Sequence, residues 1–278
     1  MPLADPAPRI AAIERLIARD PARRGIANLV QWGALEAAAR LLNGAPCVGV
    51  ISGFYLPVPQ VGETDGPPGA KAIGLALQAL GSQVHYLTDA INAPLFTGMG
   101  LESVHLYAPG LRQRLGLTHL VSTERPGRAQ DGRYYSMAAR DITAFTAPLD
   151  ELFLQAPAQG VPTVAIGDGG NEIGMGNVLE QVRRDVKNGP VIACTVRCDV
   201  LIVAGVSNWG AYGLAGALSV LHGRDLLPSA AQAQADIEAT VRAGAADGHT
   251  FRHEPTVDGQ SLADNLALLE QVRRLALG

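Results

Sequence analysis

The sequence predicts a doubly wound α/β fold. That means a mostly parallel, Rossmann-like sheet of about six strands, preceded by a helical N-terminal extension. Three observations carry this. Short runs that are apolar on both faces alternate with amphipathic segments, the pattern of parallel strands covered on two sides. Apolar residues make up 47% of the 278 residues and charged residues 17%, so the chain can bury a large core without disulfides or structural metal. No repeat, low-complexity tract or long linker interrupts it. Residues 1–278 are therefore read as one domain, with 1–44 the extension and 45–278 the sheet and its helices.

The elements follow in order. Helical apolar spacing covers 5–19 (Ile10, Ile13, Leu16, Ile17) and 26–42 (Leu29, Trp32, Leu35, Ala39, Leu42). The rhythm then changes to strand-sized apolar runs at 46–52, 83–88, 103–107, 118–122, 161–166 and 199–206. Amphipathic segments at 68–80, 111–116, 147–156 and 175–187 connect most of them, and helices at 209–222, 229–244 and 260–277 close the chain.

Composition excludes several function classes. A formal net charge of −4 leaves no basic footprint for nucleic acid. The best apolar run, Val200 to Val206, is far too short for a membrane span. The start, Met1-Pro-Leu-Ala-Asp-Pro, lacks a basic stretch followed by an apolar one, so a cytoplasmic protein is expected, with homo-oligomerisation allowed. Cys47, Cys194 and Cys198 are an odd set without zinc-site spacing and read as reduced, buried thiols. His249 and His253 lie four apart, but Pro255 and the intervening Thr250 and Phe251 argue for a loop rather than a metal-binding helix.

In such a sheet, ligands bind beyond the carboxyl ends of the strands, and four of those loops are unusual. The first opens with Ser52 and Gly53, where a glycine lets backbone approach a ligand, and carries Glu63 and Asp65 just ahead of Pro67 and Pro68. Those acids either cap the next helix or form a carboxylate pair for acid–base or metal chemistry. The second loop holds Arg125 and Arg128 on either side of a Pro-Gly turn, suited to clamping a carboxylate. The third, Gly167-Asp168-Gly169-Gly170-Asn171-Glu172-Ile173-Gly174-Met175-Gly176, offers bare backbone N–H groups beside three polar side chains. No G-x-G-x-x-G can be laid on it, and no G-x-x-x-x-G-K occurs anywhere, which sets NAD and ATP aside. The fourth places Ser207 or Asn208 as the N-cap of a Gly/Ala-rich helix, or as a ligand contact.

The strings GETDGPPGA (62–70), ERPGR with DGRYYSMAARDI (124–142) and IGDGGNEIGMGN (166–177) resemble the C-terminal domain family of D-glutamate cyclase, in order and spacing along nearly the whole chain. The resemblance implies intramolecular dehydration of D-glutamate to 5-oxo-D-proline, a carbon–oxygen lyase reaction on a small acidic substrate. In the mitochondrial form this domain follows a hydro-lyase-like domain, so a separate hydro-lyase-like partner is also implied.

Residue chemistry then suggests roles. Glu63 or Glu172, or a divalent metal on Asp168 and Glu172, would polarise the γ-carboxyl, and Asp65 would take the amine proton. Arg125 and Arg128 would hold the α-carboxylate. Ser52, Gly53, Asn171 and Asn208 would add substrate contacts, and Gly169 and Gly170 would donate N–H groups to the developing oxyanion. Two other classes stay open on the residues alone. One is another enzyme acting on a small acidic or phosphorylated metabolite, and the other is a non-catalytic binding module.

Overall fold

The computed structural model describes residues 5–278. Helices α1 (Ala7–Ile17) and α2 (Ala34–Leu42) precede β1 (Cys47–Ser52), and a short hairpin of β2 (Tyr55–Leu56) and β3 (Val61–Gly62) follows. Next come α3 (Pro67–Ala79), β4 (Gln83–Thr88), α4 (Ala93–Gly98), β5 (Val104–Leu106), α5 (Leu111–Leu115) and β6 (His119–Thr123). The chain continues through α6 (Glu151–Gln155), β7 (Thr163–Gly167), α7 (Leu179–Asp185), α8 (Gly189–Ile192) and β8 (Val200–Val203), then closes with α9 (Ser207–His222), α10 (Ala230–Arg242) and α11 (Leu262–Leu277).

Six strands form one parallel sheet in the order β5-β4-β1-β6-β7-β8. From β1 the chain winds outward to β5, then returns and winds the other way from β6 to β8. The order reverses between β1 and β6, and the crevice beyond their carboxyl ends is the ligand-binding position of a doubly wound sheet. Val48, Val50, Tyr86, Val121, Val164 and Ile166 share one core with Ile73 and Leu77 of α3 and Leu214 and Leu218 of α9. Leu87, Leu120, Ala165, Leu201 and Val203 share the opposite core with Phe153 and Ile173.

Helix α9 is buried at every residue from Ser207 to Val220, so it is apolar all round rather than striped. Its glycines explain how it fits. A Cβ at Gly210 would meet the Ile166 side chain at 2.5 Å, and one at Gly213 would meet Ile17 at 2.7 Å. Close approach thus serves both the sheet and the N-terminal helix, which packs on the outer side of α9. No helix among the described residues is long and apolar enough to cross a membrane.

Three local expectations are corrected. The segment 26–42 is not one helix: a single 3-10 turn spans Ile26–Asn28, and α2 begins only after Gly33, which takes φ 89°. Trp32, expected on an apolar helical face, falls in that break and is 63% exposed. The segment 175–187 likewise divides into a 3-10 turn (Met175–Val178) and α7. Ser207 is the first residue of α9 rather than its cap, and its hydroxyl is used elsewhere.

Candidate functional site

The crevice has an acidic floor. β1 delivers Glu63 and Asp65 through the hairpin, β6 delivers Glu124, β7 delivers Asp168, and the segment before α11 adds Asp258. All five are buried. Ser207, at the start of α9, touches three of them. Its backbone N–H donates to Asp65 Oδ2 at 2.9 Å and to Asp168 Oδ2 at 3.0 Å, and its hydroxyl donates to Glu124 Oε2 at 2.6 Å. The positive end of a 16-residue helix therefore meets three carboxylates.

Asp65 and Asn208 cap each other's helices. Asp65 Oδ1 accepts the Asn208 N–H at 2.7 Å, satisfying α9. Asn208 Oδ1 accepts the N–H groups of Gly66 at 3.0 Å and Gly69 at 2.8 Å, satisfying α3. Asp65 thus caps a helix 142 residues away, and its Oδ1 also accepts the Gly66 N–H at 2.9 Å ahead of the helix it precedes.

Among the described residues the only cation bonded to the floor carboxylates is Arg24, from the connection between α1 and α2. It pairs with Asp168 at 2.7 Å and also with Asp258. Burial lifts every acid of the floor above its ordinary range. In Glu63 the neighbouring Asp65, Asp258 and Asp168 push the same way, against Arg24. In Asp65 and Glu124 burial and carboxylate repulsion again raise the pKa. Asp168, raised by burial but held down by Arg24, reaches about 6, and Asp258 reaches about 7. Arg24 loses hydration on burial, but Asp168 and Asp258 outweigh that and hold it more firmly charged.

Asp65, Glu124 and Asp168 bring one carboxylate oxygen each within 4.8 Å of one another. This donor set of hard oxygens could hold a divalent cation such as Mg2+ or Mn2+. Ser52 Oγ, fully buried and packed with the Glu124 side-chain stem against Gly66, has no hydrogen-bond partner among the described residues.

Glu172, paired with Asp168 for a metal in the sequence reading, lies outside this set. Its carboxylate accepts N–H groups from Asp168 (3.3 Å), Gly169 (2.7 Å) and Gly170 (2.7 Å). The glycine loop therefore folds around its own glutamate, and Gly169 and Gly170 have no N–H left for an oxyanion.

The arginine clamp is also not formed. Arg125 is 1% exposed and bonds Asp89, the Gly53 carbonyl and the Ala147 carbonyl. Arg128 pairs with Asp150 at 2.7 Å and Glu151 at 3.0 Å. Residues 125–127 zip against 171–173, with Gly127 donating to the Asn171 carbonyl and Ile173 to the Arg125 carbonyl, so this loop is built into the scaffold. Gly53 is fixed the same way: it takes φ 111°, and a Cβ there would meet Asn92 at 2.6 Å.

Over the floor opens a cavity of about 680 Å³. Glu63, Glu124, Asp168, Asn171 and Glu172 line it, and Asp65 brings a carboxylate oxygen within 4.8 Å of those of Glu124 and Asp168. Glu63 lines it with a carboxylate that accepts no hydrogen bond among the described residues. Asn171 donates to the Tyr135 carbonyl at 2.7 Å and leaves its Oδ1 free. Phe54, Leu56, Val58 and Phe251 form an apolar wall. Among the described residues seven non-glycine positions take positive φ: Arg23, Gln60, Glu124, Ala139, Asn188, Phe251 and Asp258. Four line this cavity. Gln60 and Ala139 lie within two residues of its lining, and Asp258 bonds the lining Arg24. Strained backbone of this kind concentrates where a binding site must be held in shape.

Sheet, crevice and floor together define a doubly wound α/β protein with an acid-floored cavity at its switch point. A profile of the family described as D-glutamate cyclase-like, C-terminal, matches residues 13–273, and the chain belongs to that family. It is 38% identical over 241 residues to the mitochondrial D-glutamate cyclase of Homo sapiens, an alignment covering 77% of this chain and 39% of the human protein. The chain thus spans about two fifths of that relative's length. An exopolyphosphatase-related protein from Bacteroides fragilis superposes with a TM-score of 0.46 at 10% identity, covering 89% of this chain and 61% of that one.

Proposed function

We propose that the cavity cyclises D-glutamate to 5-oxo-D-proline with release of water. The observation that carries this reading is the pair Glu63 and Asp168, two cavity-lining carboxyls whose surroundings push them toward different protonation states. Glu63 is buried among other acids with no bonded partner among the described residues, so burial and carboxylate repulsion make it hold its proton well above the ordinary glutamate range. Asp168 is anchored by Arg24 and by the Ser207 N–H, so it gives its proton up near pH 6. Two carboxyls separated in this way can serve as an acid and a base.

The chemistry needs both. The substrate ammonium must lose a proton before nitrogen attacks the γ-carboxyl carbon, and ionised Asp168 accepts it. The N–C bond forms as a C–O bond breaks; nitrogen passes its second proton to the departing oxygen and Glu63 supplies the other, so that the oxygen leaves as water. The proton gained by Asp168 and the one lost by Glu63 balance, and exchange through the acidic floor restores the starting state. Glu124, held by the Ser207 hydroxyl, and Asp65, locked on the α9 N-terminus, position the floor. A divalent cation held by Asp65, Glu124 and Asp168 would supply Lewis-acid polarisation of a carboxyl oxygen. Holding amine and carboxyl together contributes about 7–11 kcal/mol in favourable intramolecular cases.

Proton NMR of D-glutamate with the purified chain, with and without Mg2+ or Mn2+, tests this. The expected result is 5-oxoproline from the chain alone or with metal. Unchanged D-glutamate under every condition would overturn the reading.

A further inference from the structure

The acidic floor is faced by an arc of unpaired positive charge. Arg23, Arg140 and Lys187 all line the cavity, all are exposed, and none forms an ion pair or donates a side-chain hydrogen bond among the described residues. Each is fixed by strained backbone. Arg23 itself takes φ 53°, Ala139 beside Arg140 takes 56°, and Asn188 beside Lys187 takes 61°.

The three loops that carry these cations are tied edge to edge. Asn188 Nδ2 donates to the Met137 carbonyl at 2.9 Å, joining the Lys187 loop to the Arg140 loop. Asn28 donates to Asp185 at 3.2 Å, and a Cβ at Gly25 would lie 2.9 Å from the Asp185 carbonyl oxygen, joining the Arg23 loop to the Lys187 loop. Asp185, the acid on this rim, is already taken by Arg184 at 2.7 Å.

We infer that this arc is the docking element for a substrate carboxylate, with Arg140 and Lys187 the specificity-determining residues. The inference rests on the cyclase reading for the identity of the substrate, and it assigns orientation. The amine and γ-carboxyl go down to the floor, the α-carboxylate, which does not react, goes up to the arc, and the methylenes lie along Phe54 and Leu56. A phosphate is disfavoured on the same geometry, because the glycine-loop N–H groups that would cradle one are bound to Glu172.

The test is calorimetric binding of D-glutamate, D-glutamate α-amide, glutarate and inorganic phosphate, beside steady-state kinetics. Arg140→Gln and Lys187→Gln should each weaken D-glutamate and glutarate about tenfold, the effect of losing one hydrogen bond to a charged group. KM should rise with kcat retained, and Arg140→Lys should recover most of the loss. The α-amide should bind wild type and variants equally weakly, and Arg224→Gln, an exposed arginine off the cavity, should change nothing. Wild-type affinity in both glutamine variants, an α-amide bound as tightly as D-glutamate, or no binding of any carboxylate would overturn the inference. So would phosphate bound more tightly than glutarate with the same dependence on Arg140. If glutarate binds through Arg140 and Lys187 but D-glutamate is not cyclised, the arc stands and the cyclase reading falls. Cyclisation with an unaltered KM in both variants has the opposite meaning.

Discussion

Glu124 and Arg125 are neighbours in the chain, both buried, and they enter opposite electrostatic regimes. Arg125 points into the scaffold, where Asp89 and two carbonyls balance it. Glu124 takes φ 44° and joins Glu63, Asp65, Asp168 and Asp258, five buried acids with one bonded cation among the described residues, Arg24. Buried charge costs stability unless it is paired. The Arg125 side meets that demand internally. The Glu124 side leaves it partly unmet, so the binding of a cation, a proton or a substrate ammonium there is favoured. What separates scaffold from site in this crevice is the balance of charge, since burial and residue type are alike on both sides.

The sharpest way to break the comparison is to neutralise one member of each group. Glu63→Gln should lower turnover about 10²–10⁴-fold, the usual range for a lost general acid, while thermal stability at neutral pH holds or rises. Steady-state rates beside a melting curve would show it, and loss of folding without loss of specific activity would reverse the assignment. Asp89→Asn should do the converse. It strands the Arg125 guanidinium in the interior and should cost about 3–5 kcal/mol in urea unfolding, and the molecules still folded should retain near-normal kcat.

A smaller effect sharpens the role of Ser207. Ser207→Ala removes the hydroxyl bond to Glu124 and keeps the backbone bonds to Asp65 and Asp168. It should cost about 1–3 kcal/mol at most and shift the pH profile of kcat, because Glu124 loses its fixed partner. An unchanged profile would mean that Glu124 is not held for catalysis.

The strands were legible because parallel strands buried on both faces leave uninterrupted apolar runs such as Thr163–Gly167. Glu63 and Asp168 could be placed near the strand ends because Asp168 directly follows β7 and Glu63 directly follows the short strand β3 of the loop after β1. Arg24 was not legible, because its partners Asp168 and Asp258 lie 144 and 234 residues away and its own segment, 20–25, reads as a plain connection between two helical stretches. Arg125 and Arg128 were misassigned for the same reason. The acids that neutralise them, Asp89 and Asp150, stand 36 and 22 residues off, on loops that only the fold brings near. Glu124 was overlooked beside two conspicuous arginines. Ser207, expected as a cap or a ligand contact, holds the site's own carboxylates.

The smallest effect, and the most specific to uncompensated charge, is on stability against pH. The acids of the floor have folded-state pKa values above their unfolded ones, about 7 for Asp258 and about 6 for Asp168. Between pH 4 and 7 the native state therefore binds more protons than the unfolded chain. The contribution of Asp168 and Asp258 is full below about pH 4, declines as pH rises through that window, and is lost as pH passes through about 6 and about 7. Exposed Asp131 and Asp141 carry the opposite sign. Hydrogen bonds from Tyr135 and Thr143 lower them, so what they add is present above pH 4 and lost as acid protonates them. Asp258→Asn should flatten the decline between pH 5 and 8 in urea unfolding by a kcal/mol or so, an order-of-magnitude figure given about 1.4 kcal/mol per separated pKa unit. Wild type and variant curves that run parallel over that range would mean Arg24 already balances Asp258, and the excess negative charge would then be confined to Glu63, Asp65 and Glu124.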